Sequence, residues 1–359
     1  MATPSPFDSF RLGPIELRNR VVMAPMTRSR AYGPGATPTE LMTTYYAQRA
    51  SAGLIVTEGI QPSVVGQGYP DTPGLHSAEQ IVAWRAVTDA VHASGGRIFA
   101  QLMHAGRVSD PALLPVNLSV VGPSEVPAAG QIYTHAGMKP FVTPHALTDS
   151  EVTDTIADFA DAARNAITAG FDGVELHGAN GYLIQQFLST SSNVRSDAWG
   201  GSIEGRNRFA VKVAKAVAAA IGAERVGIRL SPGNTAQDIA ETDIDEQYEA
   251  LVAQLAELNL VYIHVLESEG RRPLTRTLRA VWPGAFILNP STRPVPTGLS
   301  ELTLVEDGTT DLLAFGSLFL ANPDLPARLA MGGPFNEPDR ATSFGGDHRG
   351  YTDYPSLAG

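Results

Sequence analysis

Three hydrogen-bonding side chains crowd into the stretch VELHGANGYLIQQFLS, residues 174–189: His177, Asn180 and Tyr182. Its first residues read as the end of a buried strand, where a chain building only a core would continue with apolar types. An imidazole, a carboxamide and a phenol within six positions are placed to touch something other than that core. Similar groups recur just past other apolar runs: Pro25-Met26-Thr27, Glu58-Gly59, Gln101, Arg229, Asn289 to Arg293, and Gly316-Ser317. A lone glutamine in a strand is more often a satisfied core amide, and a strand-end arginine is as often structural as functional. Recurrence at nearly every strand end is what argues for a site. A ring of amides, one hydroxyl and one arginine, with no carboxylate pair or metal cluster, suits the holding of a planar polar cofactor and does not suit hydrolysis. His264, in the middle of YIHVLE, reads as a satisfied interior histidine, and Asp172, His76 and His104 have no arrangement that sets them apart.

The elements that must position these residues are short apolar runs alternating with longer helical patterns. The strand candidates span residues 20–25, 54–59, 98–103, 173–178, 226–231, 262–267, 285–290 and 312–317. They are apolar on both faces, as parallel strands covered by helices require. Between them, residues 149–169 carry Val152, Ile156, Phe159, Ala163 and Ile167 at helical spacing. Thr148 and Glu151 form a capping-box pattern there, and Gly170 stands where a C-terminal cap belongs. Eight strand–helix units predict a single-domain α/β fold over residues 1–359, a (β/α)₈ TIM barrel with its site at the strands' C-terminal ends. The competing architecture, an open doubly wound sheet, lacks support because no G-x-G-x-x-G fingerprint occurs. Residues 104–147, rich in Pro, Gly, Ser and Thr, predict a lid or binding excursion after the third strand.

Composition narrows the function classes. With no cysteine there can be no disulfide, thiolate nucleophile, cysteine-ligated zinc or iron–sulfur cluster. A formal net charge of −11 argues against nucleic-acid or anionic-membrane partners. The N-terminal MATPSPFDSF has no basic region or apolar run of a signal peptide, and no apolar run approaches a membrane span, so a cytoplasmic protein is expected.

The motifs VVMAPMTRSRA, QLMHAGRVS, GFDGVELHGANGYLIQQFLS, DAWGGSIEGRNRF, GIRLSP, LLAFGSLFLANPDLPARL and GYTDYP, in this order along essentially the whole chain, resemble the Old Yellow Enzyme family. They are most similar to its bacterial alkene reductases, which act on N-ethylmaleimide and nitroesters. The resemblance implies FMN bound non-covalently over the barrel mouth, reduced by NADPH or NADH, and electron-poor alkenes (enones, maleimides, nitroalkenes) as substrates. It assigns Thr27 to the flavin C4 carbonyl, Gln101 to the pyrimidine edge, and Arg229 to the N1/O2 side where negative charge gathers on reduction. Pro25, Met26 and Gly59 are assigned backbone contacts and close approach to the ring. His177 and Asn180 would donate to one oxygen of the substrate, Tyr182 would give the proton to its α-carbon, and flavin N5 would give the hydride to its β-carbon. Tyr69, Met103, Gln237 and Tyr351 are assigned to the substrate pocket. Thr27 places the chain in the threonine-bearing branch, and the absence of cysteine excludes the relatives that carry an iron–sulfur cluster.

Three positions depart from the family pattern. The glycine-rich phosphate loop after the seventh strand reads LNPSTRPVPTG, Gly316-Ser317 replaces the usual Gly-Arg after the eighth, and Met103 stands where many relatives carry tryptophan. The first two imply that Arg293, with Ser291, Thr292, Gly316 and Ser317, holds the FMN phosphate. The third implies a more open pocket. The rival reading, a flavin-binding barrel without alkene turnover, is disfavoured because binding FMN requires none of His177, Asn180 and Tyr182. A phosphosugar-handling barrel would need a catalytic lysine or carboxylate base that the ring lacks. The expected partners are small molecules, and the expected state is a monomer or homodimer.

Overall fold

A computed structural model describes residues 3–357; Met1, Ala2, Ala358 and Gly359 lie outside the described residues. Eight strands form the barrel: β1 (Val21–Met23), β2 (Leu54–Ile60), β3 (Ile98–Leu102), β4 (Gly173–Gly178), β5 (Val226–Leu230), β6 (Tyr262–Leu266), β7 (Ala285–Asn289) and β8 (Leu312–Phe315). Each pairs in parallel with the next, and β8 closes the ring onto β1. Seven fall within the runs read from sequence, and β2 runs one residue past its run, to Ile60. Every residue of β2, β3, β4 and β5 is buried, because one face meets the barrel interior and the other the helical layer.

The helix over Asp149–Thr168 forms its capping box: the Glu151 N–H donates to Thr148 Oγ1 at 3.3 Å, and the Thr148 N–H to Glu151 Oε2 at 2.7 Å. Gly170 follows at φ +93°. An N-terminal hairpin, Phe10–Leu12 with Ile15–Leu17, has no counterpart in the sequence reading. It sets Leu12 and Leu17 into the apolar cluster of Val22, Leu54, Phe99 and Tyr262. The excursion over 104–147 is a chain of short pieces, including a hairpin of Gln131–Thr134 with Gly137–Pro140. Among the described residues no helix is long and apolar enough to cross a membrane, and no group of histidines and carboxylates could hold a metal ion.

Two expectations fail around the loop that follows β1. Glu58 does not face the mouth: it is buried, its carboxylate accepting from the Tyr46 hydroxyl at 3.2 Å and facing the Arg28 N–H at 3.4 Å. Tyr351 is fully buried as well, stacked 4.1 Å from the Tyr45 ring with Arg28 and Arg30 over its face. It presents no surface to a substrate. Those two arginines donate to the carbonyls of Thr342, Ser343, Asp347 and Gly350, so Tyr351 belongs to a clasp that holds the C-terminal segment against the β1 exit.

Candidate active site

Strand register builds the floor of the mouth. Gln101 lies opposite Glu175 across β3 and β4, while His177, Arg229 and His264 lie side by side across β4, β5 and β6. The Gln101 amide donates to Glu175 Oε1 at 2.8 Å, and the other carboxylate oxygen accepts from Tyr262 at 3.0 Å and His264 Nδ1 at 2.8 Å. Burial alone would lift the Glu175 carboxyl. His264, Arg229 and Gln101 outweigh it and hold the group below its ordinary value, as a carboxylate. His264 is therefore interior, as its place in mid-strand suggested, but only half satisfied: its Nε2 is buried without a partner.

Arg229 spends one guanidinium nitrogen on Asn289 Oδ1, at 2.9 Å, and leaves its Nε buried and unpartnered. A buried orphan donor of this kind is costly unless a further group completes it. The Gln101 carbonyl oxygen and the half-buried Thr27 hydroxyl likewise have no protein partner among the described residues. A fixed cation, a free amide oxygen and a free hydroxyl at one barrel mouth fit the edge of a flavin, whose N1 side gains negative charge on reduction. Pro25 and Met26 are half-buried beside Thr27, and a Cβ built on Gly316 would meet nothing nearer than Met26 Sδ at 3.8 Å, so the space there is open.

Two expectations about the mouth are corrected. A Cβ on Gly59 would stand 2.5 Å from Met103 Sδ, so the missing side chain accommodates Met103, at a register shift between β2 and β3, rather than a ring. Met103 is itself only 2% exposed; methionine here fills space under the rim and does not widen a pocket.

The segment His177–Tyr182 is a turn and not a helix. β4 ends at Gly178, Asn180 and Gly181 follow at φ +58° and +81°, and Tyr182 is the N-cap of a short helix, Leu183–Leu188. This left-handed pair folds the chain back sharply, which asparagine and glycine tolerate best. A Cβ on Gly181 would meet the Ala236 carbonyl oxygen at 2.6 Å. The turn is clamped by Gln185, which accepts from the Gly181 N–H at 2.8 Å, and Gln186, which donates to its carbonyl at 2.7 Å. Two buried glutamines in the otherwise apolar LIQQFL were the available signal for this clamp.

Each donor in the turn has its acceptor atom occupied. The Ala179 N–H donates to His177 Nδ1 at 3.2 Å, so the neutral ring carries its proton on Nε2. Burial, reinforced by Arg229 and His264, pushes the His177 pKa well below its ordinary value and keeps it neutral. Asn234 donates to Asn180 Oδ1 at 3.2 Å, which leaves the Asn180 NH₂ group as the free end. The His177 and Tyr182 rings meet edge to face with centroids 4.9 Å apart. The Tyr182 hydroxyl lies 3.0 Å from that of Tyr69, which accepts from Gln237 Nε2 at 3.2 Å. Residues 69, 177, 180, 182 and 237 thus meet in one place.

The residues expected at the phosphate are less organised. Ser291 and Thr292 are half-buried, while Arg293 and Ser317 are exposed, on loops leaving the paired strands β7 and β8. The sequence reading missed Glu175, Tyr262, Ser231 and Asn234. Ser231 accepts from the Asn180 N–H at 2.9 Å, and its only sequence signal was a polar residue immediately after β5.

The sequence profile of the NADH:flavin oxidoreductase / NADH oxidase family matches residues 6–336. The chain is 42% identical to 12-oxophytodienoate reductase 1 of Oryza sativa subsp. japonica, over 97% of this chain and 92% of that one. It is 40% identical to a probable flavin mononucleotide-dependent alkene reductase of Leishmania infantum, over 95% and 94%. Among solved structures, morphinone reductase in complex with tetrahydroNAD superposes with a TM-score of 0.92 at 41% identity, covering 99% of this chain and 98% of that one. With this barrel and this mouth, the chain belongs to the NADH:flavin oxidoreductase / NADH oxidase family, as an FMN-dependent, NAD(P)H-oxidising ene-reductase of the Old Yellow Enzyme type.

Proposed function

We propose that His177 Nε2–H and Asn180 Nδ2–H bind the carbonyl or nitro oxygen of an electron-poor alkene, and that Tyr182 protonates its α-carbon. Bound FMN, reduced by NAD(P)H, supplies the hydride for the β-carbon. The two donors draw charge onto the substrate oxygen and stabilise it as it grows; because they are fixed in advance, no reorganisation is needed at that moment. The carrying observation is that His177 Nδ1 and Asn180 Oδ1 both accept from the protein, so each side chain offers the mouth a donor. Thr27, Gln101 and Arg229 hold the flavin ring with the backbone of Pro25 and Met26. Ser291, Thr292, Arg293, Gly316 and Ser317 surround its phosphate, and Tyr69 and Gln237 line the substrate side. An acidic, cysteine-free chain suits the cytoplasm and small-molecule partners, as a monomer or homodimer.

The test is the double variant His177→Ala/Asn180→Ala, followed by stopped flow. Reoxidation of the reduced enzyme by cyclohexenone should slow by on the order of 10²–10³ more than reduction by NADPH. Equal slowing of both half-reactions would place these residues with the flavin instead.

A further inference from the structure

Gln237 sits in an unfavourable backbone conformation: it and Asp238 have φ of +56° and +60°, consecutive left-handed residues without a glycine. Such a pair is unfavourable and persists only where its surroundings hold it. Buried Arg107 does so, donating to the Gln237 carbonyl at 3.2 Å and the Asp238 carbonyl at 2.9 Å, and the Ala129 N–H adds a bond to the Asp238 carboxylate at 3.0 Å. Both clamps come from the 104–147 excursion. The strained loop presses on the Tyr182 turn, where a Cβ at Gly181 would lie 2.7 Å from Gln237 Cβ. What the strain secures is one contact, the Gln237 amide nitrogen 3.2 Å from the Tyr69 hydroxyl.

That contact sets a direction. An amide N–H can only donate, so the Tyr69 oxygen is the acceptor there. Its own proton is then free to point to the oxygen 3.0 Å away, that of Tyr182. Tyr182 in turn is left with its proton directed off this chain, toward the mouth. The Tyr69 backbone is fixed as well, its carbonyl accepting from Gln67 and Thr72.

We propose that Gln237 and Tyr69 are positioning residues for proton delivery, a one-way hydrogen-bond chain Gln237→Tyr69→Tyr182 that aims the Tyr182 proton and stabilises the phenolate it leaves. The proposal rests on the reading of Tyr182 as the acid. When the C=C π bond breaks, hydride from NAD(P)H-reduced FMN forms the C–H bond at the β-carbon. The Tyr182 proton forms the C–H bond at the α-carbon, while the O–H electron pair stays on Tyr182. The resulting phenolate accepts the Tyr69 hydrogen bond until solvent returns a proton. Burial pushes the Tyr182 pKa up and the Tyr69 bond pulls it back, while Tyr69 itself is driven well above its ordinary value by burial and by Tyr182.

The experiment compares FMN-loaded Tyr69→Phe, Gln237→Glu and Tyr182→Phe with wild type, using cyclohexenone, which must be protonated at carbon, and a nitroalkene, whose hydride adduct can leave as a nitronate. Gln237→Glu keeps the shape but replaces the donor with an acceptor, which turns the chain around. In both Tyr69→Phe and Gln237→Glu the ratio of enone to nitroalkene reoxidation rates should fall by on the order of tenfold. The alkaline limb of the enone pH profile, and the Tyr182 transition in a tyrosine ring-carbon NMR titration, should move to higher pH. A merely structural role would not move the titration. If Tyr182→Phe lowers the ratio but the other two leave ratio and titration unchanged, the chain is refuted and Tyr182 remains the acid. If Tyr182→Phe leaves the ratio unchanged, the acid assignment falls and the chain falls with it.

Discussion

The Glu175 carboxylate and the His264 imidazole lie 2.8 Å apart inside the barrel, both wholly shielded from solvent. Arg229 lies one strand away, so the group under the mouth draws on β4, β5 and β6; burial lowers the His264 pKa and keeps that ring neutral, which makes Glu175 and Arg229 the charged members. Removing the carboxylate leaves the guanidinium uncompensated in a medium that solvates charge poorly. Glu175→Gln should therefore destabilise the protein by about 3–5 kcal/mol, read from urea unfolding at a fixed excess of FMN. A change below about 1 kcal/mol would mean that Arg229 is neutralised elsewhere.

Asn234 touches no reacting atom in the proposed site, yet it fixes which end of the Asn180 amide faces the mouth. Asn234→Ala should free that amide to rotate. Reoxidation by cyclohexenone should fall several-fold, the effect of weakening one neutral hydrogen bond, with a smaller change in reduction by NADPH. An unaltered enone rate would mean that the Ser231 contact and the turn alone orient Asn180.

In the phosphate site proposed above, Arg293 on the β7 loop would supply the cation that Ser317 does not supply after β8. A charge-assisted contact to a phosphate contributes about 1.5–3 kcal/mol, roughly ten- to a hundredfold in affinity. Arg293→Ala should weaken FMN by a factor in that range and leave riboflavin, which has no phosphate, unchanged in titration calorimetry. Equal weakening of both flavins, or of neither, would make Arg293 an ordinary surface residue.

His104 gives stability a dependence on pH. It is 3% exposed, its Nδ1 accepts from the Gly106 N–H at 3.1 Å, and burial lowers its pKa from the ordinary 6.5 to about 4. The unfolded chain then binds a proton that the folded protein refuses, so stability is present above pH 6.5 and is lost as pH falls toward 4. The loss from this residue is about 3 kcal/mol. His104→Gln should flatten that part of the stability profile measured by urea unfolding across pH 4–7. An unchanged slope would assign the dependence to other groups, buried His177 first among them.

Local pattern determined much of this protein. Strand–helix alternation is a matter of periodicity within ten or twenty residues, so β1 to β8, the Thr148–Glu151 cap and the polar residues at the strand ends were legible in the sequence. What the side chains do there was decided by contacts between residues far apart in the chain. The proton on His177 Nε2 depends on a turn whose hand no 3.6-residue period describes. The orientation of Asn180 depends on Asn234, fifty-four positions away, and that of Tyr69 on Gln237, 168 positions away. Tyr351 and Met103 carried the right residue types for a pocket but were drawn into the Tyr45–Arg28–Arg30 nest and the space beside Gly59. Glu175 looked like one polar residue in an apolar strand because its partners lie on three other strands. A hydrogen bond needs its two atoms within about 3 Å and aligned, and for partners that are distant in sequence only the closed barrel brings that about.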